Sequence, residues 1–358
     1  MKVMEYLVRY GYEQLVFCHD PGAGLKALIA IHDTTLGPAL GGVRVWDYPS
    51  EEEATLDVLR LARAMTYKAA VAGLNLGGGK AVIMGVPAPE KREAIFRSLG
   101  RFIASLGGRY IATEDVGSFV SDMEVVRTQT EYATGLPVET GGSGDPSPWT
   151  ALGVMAAARA CLEEVFKTDS FQGKRVAVQG LGKVGYPVVR LLAQAGAQVW
   201  VTDLNKASVD RAKKEFGATP VGPEEIYDVD CDIFSPNALG AVLNRDTIPR
   251  LKARIVCGGA NNQLADQEDA LRLGERGILY APDYVTNGGG LINISLELTG
   301  YDEALARTRV EGVYNTIKQV LARAKKLSIL TARAADELSE ERLRSIAALK
   351  RMHPGGPP

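Results

Sequence analysis

Lys68 and Lys80 bracket a glycine-rich run that includes Gly73 and the consecutive Gly77, Gly78 and Gly79. Three glycines in a row bring no side chain, so the backbone there can approach a ligand closely or take positive φ, and the run predicts a turn. An amine held beside such a turn and shielded from water gives up its proton more readily than a solvated one, which suits it to act as a base. The second lysine would either assist by repulsion or grip an anionic substrate group. The same residues also suit a solvated turn with two surface lysines, and a cation in the last turn of a helix, where Lys68 falls, is favoured by the helix dipole alone. A phosphate-binding Walker loop is excluded, because it needs glycine where Leu74 stands and Ser or Thr where Ala81 stands. A second glycine pair, Gly41-Gly42 in Ala39-Leu40-Gly41-Gly42-Val43-Arg44, presents backbone to a ligand or else makes a bulge or turn. Glu114-Asp115 follow an apolar strand-like segment, either as a helix cap or as a source of a proton carrier.

The other chemistry-bearing stretch is Gly180-Leu181-Gly182-Lys183-Val184-Gly185. A lone G-x-G-x-x-G says little, but here Arg175-Val176-Ala177-Val178-Gln179 reads as a strand before it and Val188, Leu191, Leu192 and Ala195 recur at helical spacing after it. A second strand, 198–202, ends in Asp203, 18 residues beyond Gly185. That context is the dinucleotide-binding fingerprint: Gly180 for the tight turn, Gly182 for backbone approach to a pyrophosphate at a helix N-terminus, Gly185 for helix packing on the sheet. Asp203 would accept from an adenosine ribose and repel a 2′-phosphate, so the cofactor expected is NAD rather than NADP. A βαβ unit that binds no nucleotide is the bland alternative.

Elements must hold these groups in place. At 358 residues the chain has room for two domains, each with its own core. Charged residues at 23%, apolar ones at 46% and a net charge of −2 exclude a disordered chain and give no sign of a nucleic-acid partner. No apolar run reaches the roughly 20 residues of a membrane helix and the N-terminus lacks a signal peptide's apolar core, so a cytoplasmic protein is expected. Cys18, Cys161, Cys231 and Cys257 are scattered without metal or redox spacing and read as core residues, and no metal is expected. His19, His32 and His353 all lie away from the glycine-rich stretches, so lysine and carboxylate must supply the acid–base chemistry. Residues 14–18 and 25–31 read as paired strands. Ser50 followed by Glu51, Glu52 and Glu53 opens a helix that ends near Gly73, residues 81–84 form a strand, a helix covers about 90–106, and a strand at 109–113 delivers Glu114-Asp115. Residues 141–148, rich in Gly, Ser and Pro, mark a domain boundary and candidate hinge. A helix over about 150–166, further strands at 231–234, 253–257 and 277–280, and helices over about 302–326 and 336–350 complete a parallel-sheet second domain. The runs 258–262 and 287–290 follow strand ends and should line a cofactor cleft. The tail from His353 should be disordered.

Taken together, LGGVR at 40–44, MTYKAAVAGLNLGGGKAV at 65–82, TEDVG at 113–117, SGDPSPWTALGV at 143–154, GLGKVG at 180–185, GGANNQL at 258–264 and APDYVTNGGGLIN at 281–293 resemble the amino-acid dehydrogenase family that contains the glutamate, leucine, phenylalanine and valine enzymes, and are most similar to its leucine branch. The resemblance spans nearly the whole chain. It implies an α/β fold with an N-terminal substrate and oligomerisation domain, residues 1–140 with 330–358, and a Rossmann-type NAD-binding domain, residues 141–329, with a cleft between them. It implies a homo-oligomer, usually an octamer in the leucine branch, with an amino acid as the small-molecule partner.

Carried over by position, Lys68 and the backbone at Gly42 would hold the substrate α-carboxylate, Lys80 would activate water against an imine, and Asp115 would shuttle protons. Asn262 would orient substrate or nicotinamide, with Asn261 beside it in the cofactor set that includes Leu181, Lys183 and Val184. Leu40, Met65, Thr113, Leu291 and Ile294 would bound the side-chain pocket. In glutamate enzymes of the family a lysine takes the place of Leu40 and a serine that of Ile294, so a distal carboxylate would go unpaired here. Thr113 stands where the leucine branch has alanine, and Leu291 and Ile294 where valine is common. The added bulk favours branched aliphatic substrates over phenylalanine and tilts the balance toward valine and isoleucine. Competing readings are a phenylalanine or other apolar amino-acid enzyme, a 2-hydroxy-acid dehydrogenase, which would want a histidine at the reacting centre, and a catalytically silent amino-acid-binding subunit.

Overall fold

The structure, a computed structural model, describes residues 2–238 and 240–352; the tail expectation, His353 included, falls outside the described residues. The chain divides into two compact units. The first comprises the chain up to Asp145, Ile294–Asp302 and the chain from Leu338 onward; the second comprises Pro146–Asn293 and Glu303–Glu337. Relative to the spans expected from sequence, residues 141–145 and 294–302 lie with the first unit and 330–337 with the second.

The first unit runs α1 (Val3–Tyr10), β1 (Gln14–Asp20), β2 (Leu25–Asp33), β3 (Ala39–Trp46), α2 (Glu51–Val71), β4 (Gly77–Met84), α3 (Pro89–Ser105), β5 (Tyr110–Glu114) and α4 (Val120–Arg127). Its five-stranded sheet has the order β1-β2-β4-β3-β5, with β1, β2 and β4 antiparallel in succession and β4, β3 and β5 parallel. The continuous apolar run of β2 follows from burial on both faces. Leu28 and Ala30 pack with Val58, Leu59 and Ala62 of α2, while Ile29 and Ile31 share a core with Phe96, Leu99 and Ile103 of α3. Helix α2 starts where the sequence placed it, with Ser50 Oγ accepting from the Glu53 amide at 3.1 Å.

Two glycine stretches differ from expectation. Gly77–Gly79 open the buried strand β4, and Gly41-Gly42 lie inside β3, a central strand; none of these has positive φ. Glycine is required there by close approach. A Cβ on Gly41 would stand 1.7 Å from the Gly79 carbonyl oxygen, one on Gly78 2.1 Å from the Thr66 amide of α2, and one on Gly79 2.7 Å from the Tyr110 ring. Short local propensity pointed to turns, and tertiary packing overrides it.

The second unit contains α5 (Ser147–Phe166), β6 (Arg175–Gln179), α6 (Gly185–Gln194), β7 (Gln198–Thr202), α7 (Lys206–Phe216), β8 (Thr219–Pro220), β9 (Ile233–Pro236), β10 (Ile255–Val256), α8 (Glu268–Glu275), β11 (Leu279–Tyr280) and α9 (Asp283–Thr286). Helix α10 (Gly289–Ser295) leads back toward the first unit, α11 (Glu303–Glu311) and α12 (Val313–Leu327) belong to the second, and α13 (Thr331–Met352) returns again. The helix expected over 302–326 is thus broken at Gly312, and the last helix begins five residues earlier than expected. All strands of the sheet β11-β10-β9-β6-β7-β8 are parallel. The four cysteines are buried and free. Among the described residues no helix is long and apolar enough to cross a membrane.

Candidate active site

Strand alternation puts Lys80 on the α2 side of the first sheet, with Gly78 and Val82, and puts Leu40, Gly42 and Arg44 on that same side of β3. Asp115 follows the end of β5, two residues after Thr113. The order β4-β3-β5 therefore leaves Gly42 between Lys80 and Asp115, and the missing side chain is the gap through which they meet. Lys80 Nζ lies 2.8 Å from Asp115 Oδ2. A Cβ on Gly42 would stand 2.6 Å from Asp115 Cβ and 3.1 Å from Lys80 Nζ. Tyr110 locks this register by donating its hydroxyl to the Gly41 carbonyl at 2.7 Å.

The pair is one end of a longer chain of charges. Arg44 Nε donates to Asp115 Oδ2 at 3.0 Å, Arg44 Nη1 to Asp57 Oδ2 at 3.1 Å, and the Tyr48 hydroxyl to the same Asp57 oxygen at 2.6 Å. Lys80 is 5% exposed, and the Asp115 side chain 21%, so both are largely withdrawn from water. Burial alone would push the Asp115 carboxyl up, but Lys80 and Arg44 together outweigh it and hold the group at about 2. Burial likewise opposes the charge on Arg44, and Asp115 and Asp57 more than offset it, raising its pKa. Asp115 is thus an ionised counter-ion held by two cations. Glu114-Asp115 do not cap α4; its first turn is instead closed by Asp122, which accepts from the Phe119 amide at 2.8 Å.

Of the other expected residues in this unit, Lys68 lies partly exposed in the last turn of α2, one helical turn beyond the half-buried Met65. Leu40 and Thr113 are buried at 1% and 5% exposure, and Ile294 is buried where the chain re-enters the unit. The Thr113 hydroxyl has no hydrogen-bond partner among the described residues. Sequence reasoning assigned no role to Arg44, Asp57 or Tyr48. The available signal for Arg44 was its position two residues after Gly42, on the same strand face.

In the second unit the glycine fingerprint is built as expected. Gly180 has φ +93, Gly185 packs so tightly that a Cβ would stand 1.9 Å from the Gly180 carbonyl oxygen, and nothing lies within 4 Å of a Cβ placed on Gly182. No side chain caps the first turn of α6, so the amides at that helix N-terminus are left for a ligand anion. Leu181 is buried, whereas Gly182 and Lys183 are exposed. Asp203 Oδ2 accepts from the Leu181 amide at 2.6 Å and Oδ1 from the Asn205 amide at 2.7 Å, fixing the loop. A carboxylate offers about four lone-pair positions, so ribose hydroxyls can still be received. Buried oxygens of Gln179 and Thr202, at the carboxyl ends of β6 and β7, have no partner among the described residues, and neither does Asn287 Oδ1. Asn287 donates to Asn261 at 2.7 Å; Asn261 and Asn262 are exposed, and Asn262 adopts φ +50. Leu291 is buried in α10. An uncapped helix N-terminus, an open Gly182 and orphaned acceptors at strand ends fit a nicotinamide dinucleotide.

Known proteins resemble the chain along nearly its whole length. Residues 12–132 match the family model described as Glu/Leu/Phe/Val dehydrogenase, dimerisation domain, and residues 141–205 and 200–351 that described as Glutamate/Leucine/Phenylalanine/Valine dehydrogenase. A leucine dehydrogenase of Thermoactinomyces intermedius is 54% identical over 343 residues, covering 96% of this chain and 94% of that protein. A valine dehydrogenase of Streptomyces virginiae is 47% identical, covering 93% of this chain and 94% of its own length. The crystal structure of L-tryptophan dehydrogenase from Nostoc punctiforme superposes with a TM-score of 0.85 at 43% identity, covering 96% of this chain and 99% of that one. Matched along nearly its whole length, and carrying the lysine–aspartate pair and the dinucleotide loop on the two sheets, the chain belongs to the Glu/Leu/Phe/Val dehydrogenase family of amino-acid dehydrogenases, enzymes that use a nicotinamide cofactor.

Proposed function

We propose that the protein catalyses the reversible, NAD-dependent oxidative deamination of branched-chain L-amino acids to 2-oxo acids and ammonia. The observation that carries this reading is the buried Lys80–Asp115 pair over Gly42, with the apolar Leu40 and the buried Thr113 on the same strand faces. The 54% identity to leucine dehydrogenases supports the substrate class. When bound, the nicotinamide supplies the acceptor for the hydride that leaves Cα. Lys68 and the Gly42 backbone hold the substrate carboxylate. Lys80 takes a proton from water as it adds to the substrate imine, and Asp115, in contact with Lys80 Nζ, passes protons to and from the departing amine. Asn262, with Asn261, orients substrate or nicotinamide. Leu40, Met65, Thr113, Leu291 and Ile294 bound the side-chain pocket, and a glutamate carboxylate would find no cation there.

Asp203 disfavours a 2′-phosphate, which selects NAD over NADP. The dimerisation-domain match supports self-association, and we assign an octamer; a solution mass other than eight chains would exclude that number.

The reading is tested by cofactor reduction with leucine, isoleucine, valine, phenylalanine and glutamate, each with NAD and NADP at mildly alkaline pH. All three branched substrates should turn over, within roughly 10- to 200-fold of one another in kcat/KM, with valine and isoleucine gaining on leucine. Glutamate or phenylalanine at the top, or equal use of both cofactors, would overturn it. Lys80→Ala should lose about 10² to 10⁴ in kcat while still binding NAD; near-normal turnover in that variant would mean that another group is the base.

A further inference from the structure

Glu297 belongs to no motif discussed above, yet its carboxylate gathers several hydrogen bonds within the first unit. It sits in the short 3-10 turn Leu296–Thr299, one helical turn after Ile294. Its Oε1 accepts from the Gly135 amide at 3.0 Å, the Ser143 amide at 2.8 Å and the Ser143 hydroxyl; Oε2 accepts from the Gly135 amide at 3.1 Å. The Leu136 amide also reaches Oε2, at 3.5 Å. Every donor is a backbone N–H or a hydroxyl, and a carboxylate meets them with an acceptor at both oxygens.

What Glu297 holds is the layer laid along β5. Ala112 bridges to Ala133, the Thr134 amide donates to the Ala112 carbonyl at 2.8 Å, and the Ala112 amide donates to the Tyr132 carbonyl at 3.0 Å. Gly135 follows at φ +75, and a Cβ there would stand 2.8 Å from Thr113 Oγ1, the hydroxyl without a partner. The carboxylate thus ties the segment bearing Ile294 to the residue that abuts Thr113.

We propose that Glu297 is a positioning residue for side-chain recognition: by clamping residues 135–143 to the turn after Ile294, it sets the spacing between Thr113 and Ile294. This rests on the branched-chain reading, which assigns both residues to the pocket. Losing the clamp should widen the pocket without touching Lys80 or Asp115.

The test is the ratio of kcat/KM for the best branched-chain substrate to that for phenylalanine, measured in the wild type, Glu297→Ala and Glu297→Gln. The ratio does not depend on the fraction of folded enzyme, so a merely structural role leaves it unchanged. Glu297→Ala should lower it by about 10-fold or more, the scale of a methylene-sized misfit, mainly through a raised KM for the branched substrate. Glu297→Gln keeps one acceptor and should fall between; it also gives the reading if the alanine variant does not fold. Ratios within twofold of wild type in the folded variants overturn the inference while leaving the branched-chain reading intact. A wild type that prefers phenylalanine overturns both.

Discussion

Asp115 sets a single, largely buried carboxylate between Lys80 and Arg44. Two cations contact it, and its pKa falls from 3.8 to about 2 despite burial that pushes the other way. Because the folded-state value lies below the unfolded one, the stabilisation is complete above about pH 4 and is lost as the pH falls toward 2. The shift corresponds to about 2 kcal/mol. Asp115→Asn removes that term, so its unfolding free energy should decline less steeply than that of the wild type between pH 4 and 2, whatever its stability at neutral pH. Urea unfolding across that range measures both slopes, and parallel curves would show that Asp115 titrates normally. Lys80 stood out in the sequence as a charge beside consecutive glycines, whereas Glu114-Asp115 read equally as a helix cap and Asp115 was singled out only by the family resemblance. Asp57 and Tyr48 were not readable, because nothing in a one-dimensional spacing ties position 57 of a helix to Arg44 on a strand. Their partnership exists only once α2 lies on the sheet.

Among the elements, the Lys80–Asp115 pairing depends on glycines of β3 and β4 that let neighbouring strands, α2 and Asp115 come closer than side chains would allow. Gly41, Gly42, Gly78 and Gly79 each occupy a position where a Cβ meets another atom at 2.7 Å or less. Gly42→Ala should therefore act twice. Overpacking of this kind costs about 1 to 3 kcal/mol of stability, and the methyl group prises Asp115 from Lys80. A displacement near 1 Å at reacting groups costs about 10²-fold, so kcat should drop on that order while NAD affinity stays at the wild-type level, because the dinucleotide loop is on the other sheet. Steady-state kinetics with a fluorescence titration of the cofactor measures both. Wild-type kcat in Gly42→Ala would mean that the pair tolerates a side chain between its members. The same crowding explains why the sequence misled at these residues. Glycine clusters are read as turns because glycine tolerates positive φ, and here that freedom goes unused. Where freedom is used, at Gly180, context had already identified the turn. The alternation of strand and helix in the second unit was legible because its parallel strands are short apolar runs bounded by breakers. The short helices α1, α4, α7 and α8 were not, lacking a long periodic face.

Over the whole molecule, neither unit is a continuous stretch of chain. The first is finished by residues 294–302 and by α13 from Leu338 onward, segments that follow most of the second unit in sequence. Their contribution includes contacts at the end of α2, next to Lys68. Arg342 donates to the carbonyls of Ala70 at 3.0 Å, Gly73 at 3.1 Å and Leu74 at 2.7 Å, and to Asn75 Oδ1 at 2.9 Å, while the Ser339 hydroxyl donates to the Tyr67 carbonyl at 3.2 Å. A guanidinium therefore satisfies the last carbonyls of α2, where the helix dipole favours a cation, and fixes the loop between Lys68 and β4. Sequence gave α13 as a helix but offered no sign of where it docks, since Arg342 reads as one more charge on a solvated face. Ending the chain after Glu337 leaves the second unit with all of its residues and strips this cap from the first. Hydrogen exchange should then rise in residues 67–80, by more than 10-fold at the amides of the last turn of α2 if the lost bonds are worth about 1.5 kcal/mol or more. The amides of β6, β7 and β9 should keep wild-type protection. KM for the amino acid should rise through Lys68, and Arg342→Ala in the full chain should reproduce the change at residues 67–75. Were exchange to increase instead across β6–β9, the end of the chain would be stabilising the second unit's sheet, and α13 could not be the element that holds Lys68 in place.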